Sequence, residues 1–164
     1  MWAEAFLAQA QSDWEMYKKM ERANEPACHS LHYLQMATEK LGKAYFLSAG
    51  TGVDEVQNSH LAFTRFLRLV ARNGKLQKAL GMSSTQLRAH VRQLLPIAHG
   101  IERLAPSLAD RSINAEYPWL APDSTVKTPI HYEFALSAIL LDANGRSLVE
   151  LVKVIFEKFF LLHK

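Results

Sequence analysis

From Ser83 to Leu108 the chain reads SSTQLRAHVRQLLPIAHGIERLAPSL, and this stretch decides the fold class. Leu87, Val91, Leu94, Ala98, Ile101, Ala105 and Leu108 recur in alternating steps of four and three, the spacing of one face of an α-helix. Such a seam serves packing against neighbouring helices. Ser83 and Gln86 stand where a capping box needs them, each able to satisfy the other's orphan backbone donor. Pro96 lacks the N–H that would bond the Arg92 carbonyl, so a kink is expected there.

Outward from this helix the same period returns. Phe63, Phe66, Leu67 and Val70 stand at i, i+3, i+4 and i+7 in a third helix that ends at Asn73-Gly74, and a short apolar turn around Leu76 and Leu80 follows. Leu34, Ala37, Leu41, Ala44 and Tyr45 carry a second helix to about Ala49, where Gly50-Thr51-Gly52 stops it. Asn24-Glu25-Pro26 reads as the start of that helix: a capping side chain, an acid in the first turn and a proline whose missing N–H does no harm. The first helix, from about residue 2 to 22, lines up Phe6, Ala10, Trp14 and Tyr17.

Toward the C-terminus, residues from about 110 to 131 change character, with turn and extended signals at Tyr117-Pro118-Trp119, Pro122-Asp123-Ser124 and Thr128-Pro129. An irregular segment of this length is functional or mobile. A last helical stretch carries Leu148, Leu151, Val152, Ile155, Phe159 and Leu162, with Asn144-Gly145 as a candidate break from an earlier turn spanning Phe134 to Leu141. These patterns specify an all-α, up-and-down antiparallel bundle of four to six helices, forming one domain over residues 1–164.

Composition agrees with a packed core. Hydrophobic residues make up 49% of 164 and charged ones 21%, which excludes the disordered class. No apolar run approaches the roughly 20 residues of a membrane span. Met1-Trp2-Ala3-Glu4-Ala5-Phe6 lacks the basic-then-apolar order of a signal peptide, and the single cysteine, Cys28, cannot form an internal disulfide. The expected location is a reducing cytoplasm. A net charge of +3 and a pI near 9.0 permit an anionic partner without requiring one.

The motifs of several enzyme classes are missing: no Glu-x-x-His pair for a di-iron bundle, no His-Glu-x-x-His, no phosphate loop with its lysine and no Gly-x-Ser-x-Gly elbow. His29 and His32, with Cys28 beside them, lack a fourth ligand at metal spacing, so neither metal nor cofactor is expected. Arg65, Arg68 and Arg72 share one face of the third helix, either as a groove for phosphates or as a solvated surface. Arg88, Arg92, His99 and Arg103 form a second stripe along the flank of the fourth helix, where a histidine among arginines can serve as a base or as part of an interface. Tyr117 and Trp119 are aromatic candidates for partner contact or for capping their own core.

Ala10-Gln11-Ser12-Asp13 in the first helix, followed by Leu34-Gln35-Met36-Ala37-Thr38-Glu39-Lys40-Leu41-Gly42-Lys43-Ala44, resembles the HEPN family (higher eukaryote and prokaryote nucleotide-binding domain). Ser59-His60-Leu61 with Phe66-Leu67 is similar to the family's following Thr-His-x-Leu helix, and Tyr117-Pro118 to its Arg-Tyr-Pro turn, with Glu116 in the place where relatives often carry arginine. The resemblance covers the first seventy residues best. It implies a helical bundle, often dimeric, that acts either as a non-catalytic binding module or as a metal-independent ribonuclease. The catalytic relatives carry an arginine, then a histidine after four to six intervening residues. Arg92 with His99 has that spacing, as does Arg22 with His29, though neither pair sits where the family places it.

The expected function is therefore a non-enzymatic HEPN-like module that forms a homodimer and binds a partner protein, a nucleotide or RNA. One alternative is a metal-independent endoribonuclease in which Arg92 stabilises phosphate charge and His99 moves the proton of a 2′-hydroxyl. The other is a purely structural subunit of a larger complex, with the 110–131 segment as its docking element.

Overall fold

Periodicity in the sequence becomes eight α-helices in the computed structural model, which describes residues 1–57, 59–109 and 112–162. They are α1 (Trp2–Ala23), α2 (Ala27–Ser48), α3 (Val53–Gln57), α4 (Ala62–Val70), α5 (Gly74–Leu80), α6 (Ser84–Glu102), α7 (Ala135–Leu141) and α8 (Ala143–Lys158). Eight exceeds the expected four to six because three connections, α3, α5 and α7, are themselves short helices. A two-stranded hairpin, β1 (Trp119–Leu120) with β2 (Val126–Lys127), lies between α6 and α7.

α1 packs along α2, α2 meets α4, and α4 lies against α6, which also touches α7 and α8. Phe63, Phe66 and Leu67 of α4 are fully buried between Leu34 and Leu41 of α2 and Leu87, Leu94 and Ile101 of α6, with Leu148 and Ile155 of α8 closing the core. Burying one such side chain contributes about 1.5–3 kcal/mol. α2 and α4 approach closely at Gly42, where a Cβ would stand 2.6 Å from the Ala62 carbonyl oxygen. Only a residue without a side chain allows α2 and α4 to cross there.

The capping box at Ser83 and Gln86 forms with both of its bonds. Asn24, by contrast, serves the other helix. It takes the left-handed conformation at φ 53° and closes α1, with its N–H on the Glu21 carbonyl and that of Glu25 on Met20. This is a Schellman end, which Asn tolerates because its short polar side chain suits the left-handed region. Pro26 then caps α2 without a side-chain bond. α6 runs unbroken through Pro96 but ends at Glu102, short of the expected Leu108. Pro106 explains the stop, since its ring would clash with the carbonyl four residues earlier.

The C-terminal stretch is two helices, and the break falls at Asp142. Its carboxylate accepts the Gly145 N–H at 2.7 Å and so caps α8. Gly145 lies inside the first turn of α8, against the backbone of Ile139 and Leu140, where a Cβ would collide. Among the described residues no helix is long and apolar enough to cross a membrane.

Candidate functional site

Arg68 of one stripe and His99 of the other meet beside one buried acid. Between Val56 and Ala109 the sequence holds eight lysines and arginines and one acid, Glu102, a block of +7 in a chain of +3, leaving −4 for the rest. Glu102 is 2% exposed, so the surface that α4, α5 and α6 present to solvent carries cations alone among the described residues.

Glu102 is held by α4. Its Oε1 accepts the Thr64 N–H at 2.9 Å and its Oε2 accepts the Thr64 hydroxyl at 3.0 Å. Burial pushes its carboxyl above the usual range, and these bonds together with nearby His99 pull part of the way back. One turn earlier on α6, His99 Nδ1 lies 3.4 Å from Glu102 Oε2. His99 Nε2 faces the Arg68 guanidinium of α4 at 3.4 Å. Arginine can only donate, so in the neutral imidazole Nε2 accepts from Arg68 and the Nδ1 proton points toward the carboxylate. A buried carboxylate thus orients a half-exposed imidazole whose other nitrogen meets a guanidinium.

The arginine at His99 is therefore Arg68, not Arg92. Arg92, His99 and Arg103 stand at i, i+7 and i+11, on one ridge of α6, so Arg92 and His99 share a face about 10 Å apart along the axis. The side chains of Arg72, Arg92 and Arg103 are exposed and make no hydrogen bond or ion pair among the described residues. Arg65 stacks its guanidinium 5.2 Å from the centre of the Phe46 ring. Arg88 turns back on its own helix, donating to the Ser84 carbonyl at 3.3 Å and hydroxyl at 2.8 Å. Tyr117 is 60% exposed, whereas Trp119 turns inward and meets the Tyr132 ring edge-to-face at 4.9 Å.

Sequence reasoning passed over Glu102 and Thr64. The signal for Glu102 is an acid three residues after His99 on a helical flank; Thr64 carries none, since its partner is 38 residues away.

The Gln35–Ala44 run builds a different kind of site. Lys40 Nζ meets Asp13 Oδ2 of α1 at 2.6 Å, and Asp13 Oδ1 accepts Gln9 at 3.1 Å. Glu39 accepts Gln35 at 2.6 Å and Lys43 at 2.7 Å, with His60 Nδ1 3.7 Å away, and Lys43 also donates to the Gln57 carbonyl at 3.1 Å. Every charge in this network is satisfied within it. Arg22 and His29 flank the Pro26 turn, both exposed, and Arg22 Nε donates to the Lys18 carbonyl at 3.1 Å. No group of three His, Cys, Asp or Glu residues placed to hold a metal exists among the described residues.

Compared with family models, with curated proteins and with solved structures, the chain matches none.

Proposed function

We propose that this chain is an HEPN-like helical module that binds RNA on the exposed face of α4, α5 and α6. The observation that supports this reading is the charge block: eight cationic residues with one acid among them, and that acid withdrawn from the surface into a bond with Thr64. Exposed cations such as Arg72, Arg92 and Arg103 hold solvent ions that a phosphate chain displaces, which favours association. Arg72, Arg92 and Arg103 are the free contacts, and Arg68 is the one already turned toward His99. Binding of a labelled single-stranded RNA at several salt concentrations tests the reading. Each of Arg92→Ala and Arg103→Ala is expected to reduce the slope of log K against log salt by about 0.7. An RNA affinity indifferent to salt and to both substitutions would sink it. Dimerisation belongs to the same proposal, and sedimentation equilibrium reads it directly.

The carboxylate–imidazole–guanidinium array favours one further reading, metal-independent RNA cleavage. As RNA binds, Arg68 leaves His99 Nε2 for the phosphoryl oxygens. The freed Nε2 takes the proton of a 2′-hydroxyl, the resulting oxyanion attacks the adjacent phosphorus, and the bond to the 5′-oxygen breaks as that oxygen gains a proton from water, whose hydroxide the imidazolium then neutralises. Arg68 balances the charge on the phosphoryl oxygens, and Glu102 is a positioning residue that steadies the imidazolium. RNA fragments with 2′,3′-cyclic ends, formed in EDTA and lost in His99→Ala, are its expected product. Equal cleavage by the variant excludes it.

A further inference from the structure

The opening turns of α2 face the segments on either side of the hairpin, and a groove of about 500 Å³ lies between them. Cys28, His29 and His32 line it from the helix, and Glu116, Tyr117 and Ile130 from the opposite side. This groove is built rather than incidental. Asn114 is buried, and its Oδ1 accepts the N–H groups of Glu116 at 2.9 Å and Tyr117 at 2.7 Å while its Nδ2 donates to the Ser112 carbonyl at 3.0 Å. One buried amide therefore sets the backbone that presents Glu116 and Tyr117. Pro118 and Pro129, also in the wall, have fixed φ angles and stiffen the rim.

The chemistry of the lining is one-sided. Among the described residues no lysine or arginine lines the groove, and Glu116 is the one acid that does. The Cys28 thiol is raised by burial and stays protonated. His32 Nδ1 is buried without a hydrogen-bond partner and lies 3.6 Å from Glu116 Oε1, so it can donate to that oxygen after a small movement. The carboxylate then offers its remaining lone pairs to a ligand. A phosphate would meet negative charge here. A flat ring with adjacent N–H donors would meet a carboxylate, apolar walls at Pro118, Pro129 and Ile130, and an exposed phenol on which to stack.

We propose that this groove binds a guanine ring, with its N1–H and 2-amino group on the Glu116 carboxylate and its face on Tyr117. Two parallel donors match two carboxylate oxygens, the fork geometry that makes charge-assisted pairs strong. A lone guanidinium offers the same edge but leaves most of the cavity unfilled. The inference rests on the RNA-binding reading for the source of the base. Ala115 N–H donates to the Leu104 carbonyl at 3.3 Å, which ties this wall of the groove to the residue that follows Arg103.

Titration of the full chain with guanosine, which carries no charge, followed by protein NMR, tests the groove apart from the cationic face. Saturable shifts at residues of the groove are expected. Inosine, lacking the 2-amino group, is expected to bind about tenfold more weakly, as is guanosine to Glu116→Gln and to Tyr117→Ala. Tyr117 is exposed, so that variant keeps the fold. No saturable guanosine signal, equal binding of adenosine, or tighter binding of arginine amide each overturns the proposal. A protein silent to guanosine that still binds oligouridine with a salt slope loses this inference alone. One that binds guanosine but no oligouridine keeps the groove and loses the cationic face.

Discussion

Asp13 and Lys40 on one side of the molecule, and Arg92 and Arg103 on the other, handle charge in opposite ways. The α1–α2 network draws acids and bases together in pairs that are mostly buried: Lys43 is 8% and Asp13 9% exposed at the side chain, and Lys40 18%. The α4–α6 face withdraws its one acid and leaves the side chains of Arg72, Arg92 and Arg103 in water. A paired charge has its partner within the fold and stabilises one arrangement of helices. An unpaired cation adds little to stability, and its field remains available to something outside. The run that carries the family resemblance thus lies in the first region, where it joins helices, and the groups suited to a ligand lie in the second and in the groove beside it.

The comparison breaks most readily at its buried end. Lys40→Ala leaves the Asp13 carboxylate with only Gln9, and should cost about 2–4 kcal/mol, somewhat less than the roughly 3–5 kcal/mol of a fully buried pair because Lys40 keeps some water. Chemical denaturation checks this, and a loss under about 0.5 kcal/mol would show that the network does not join the helices. Gly42→Ala should cost about 1–3 kcal/mol, since the Ala62 carbonyl leaves no room for a methyl group. Arg92→Ala and Arg103→Ala together should change stability by less than about 0.5 kcal/mol while weakening RNA binding, the reverse of the Lys40 result. A large stability loss in that double variant would erase the distinction between the two regions.

The smallest effect sharpens the boundary between them. Burial raises the Glu102 carboxyl, so the folded chain holds that proton more tightly than the unfolded chain. Its contribution to stability is full at low pH and is lost as pH rises through the raised value. Glu102→Gln should therefore flatten the fall in melting temperature as pH rises above the ordinary carboxylate range. An unchanged slope would mean that the carboxylate is fully compensated by Thr64 and His99.

Much of the helical framework was legible because an amphipathic helix repeats its apolar face, and Phe63, Phe66, Leu67 and Val70 need only their spacing to be recognised. The five residues of α3 and seven of α5 and α7 are too short to show a period. Asn24 was ambiguous for another reason: the same side chain suits the start of one helix and the end of another, and only the left-handed φ decides. The charge block is legible by counting acids and bases along the chain, but a reading of one helix at a time passes over it.

By itself the sequence determined a mostly helical framework, though not the β1–β2 hairpin, together with the capping box at Ser83 and the ridge that carries Arg92, His99 and Arg103, because each depends on local helical periodicity and capping. Tertiary structure alone decided that Arg68 rather than Arg92 meets His99, that Thr64 holds Glu102, and that Glu116 faces His32 across a groove. Those partners lie from 31 to 84 residues apart in the chain. Nothing in local periodicity encodes such a meeting; it follows from the crossing of α2 and α4 at Gly42 and from the way α4 then lies against α6.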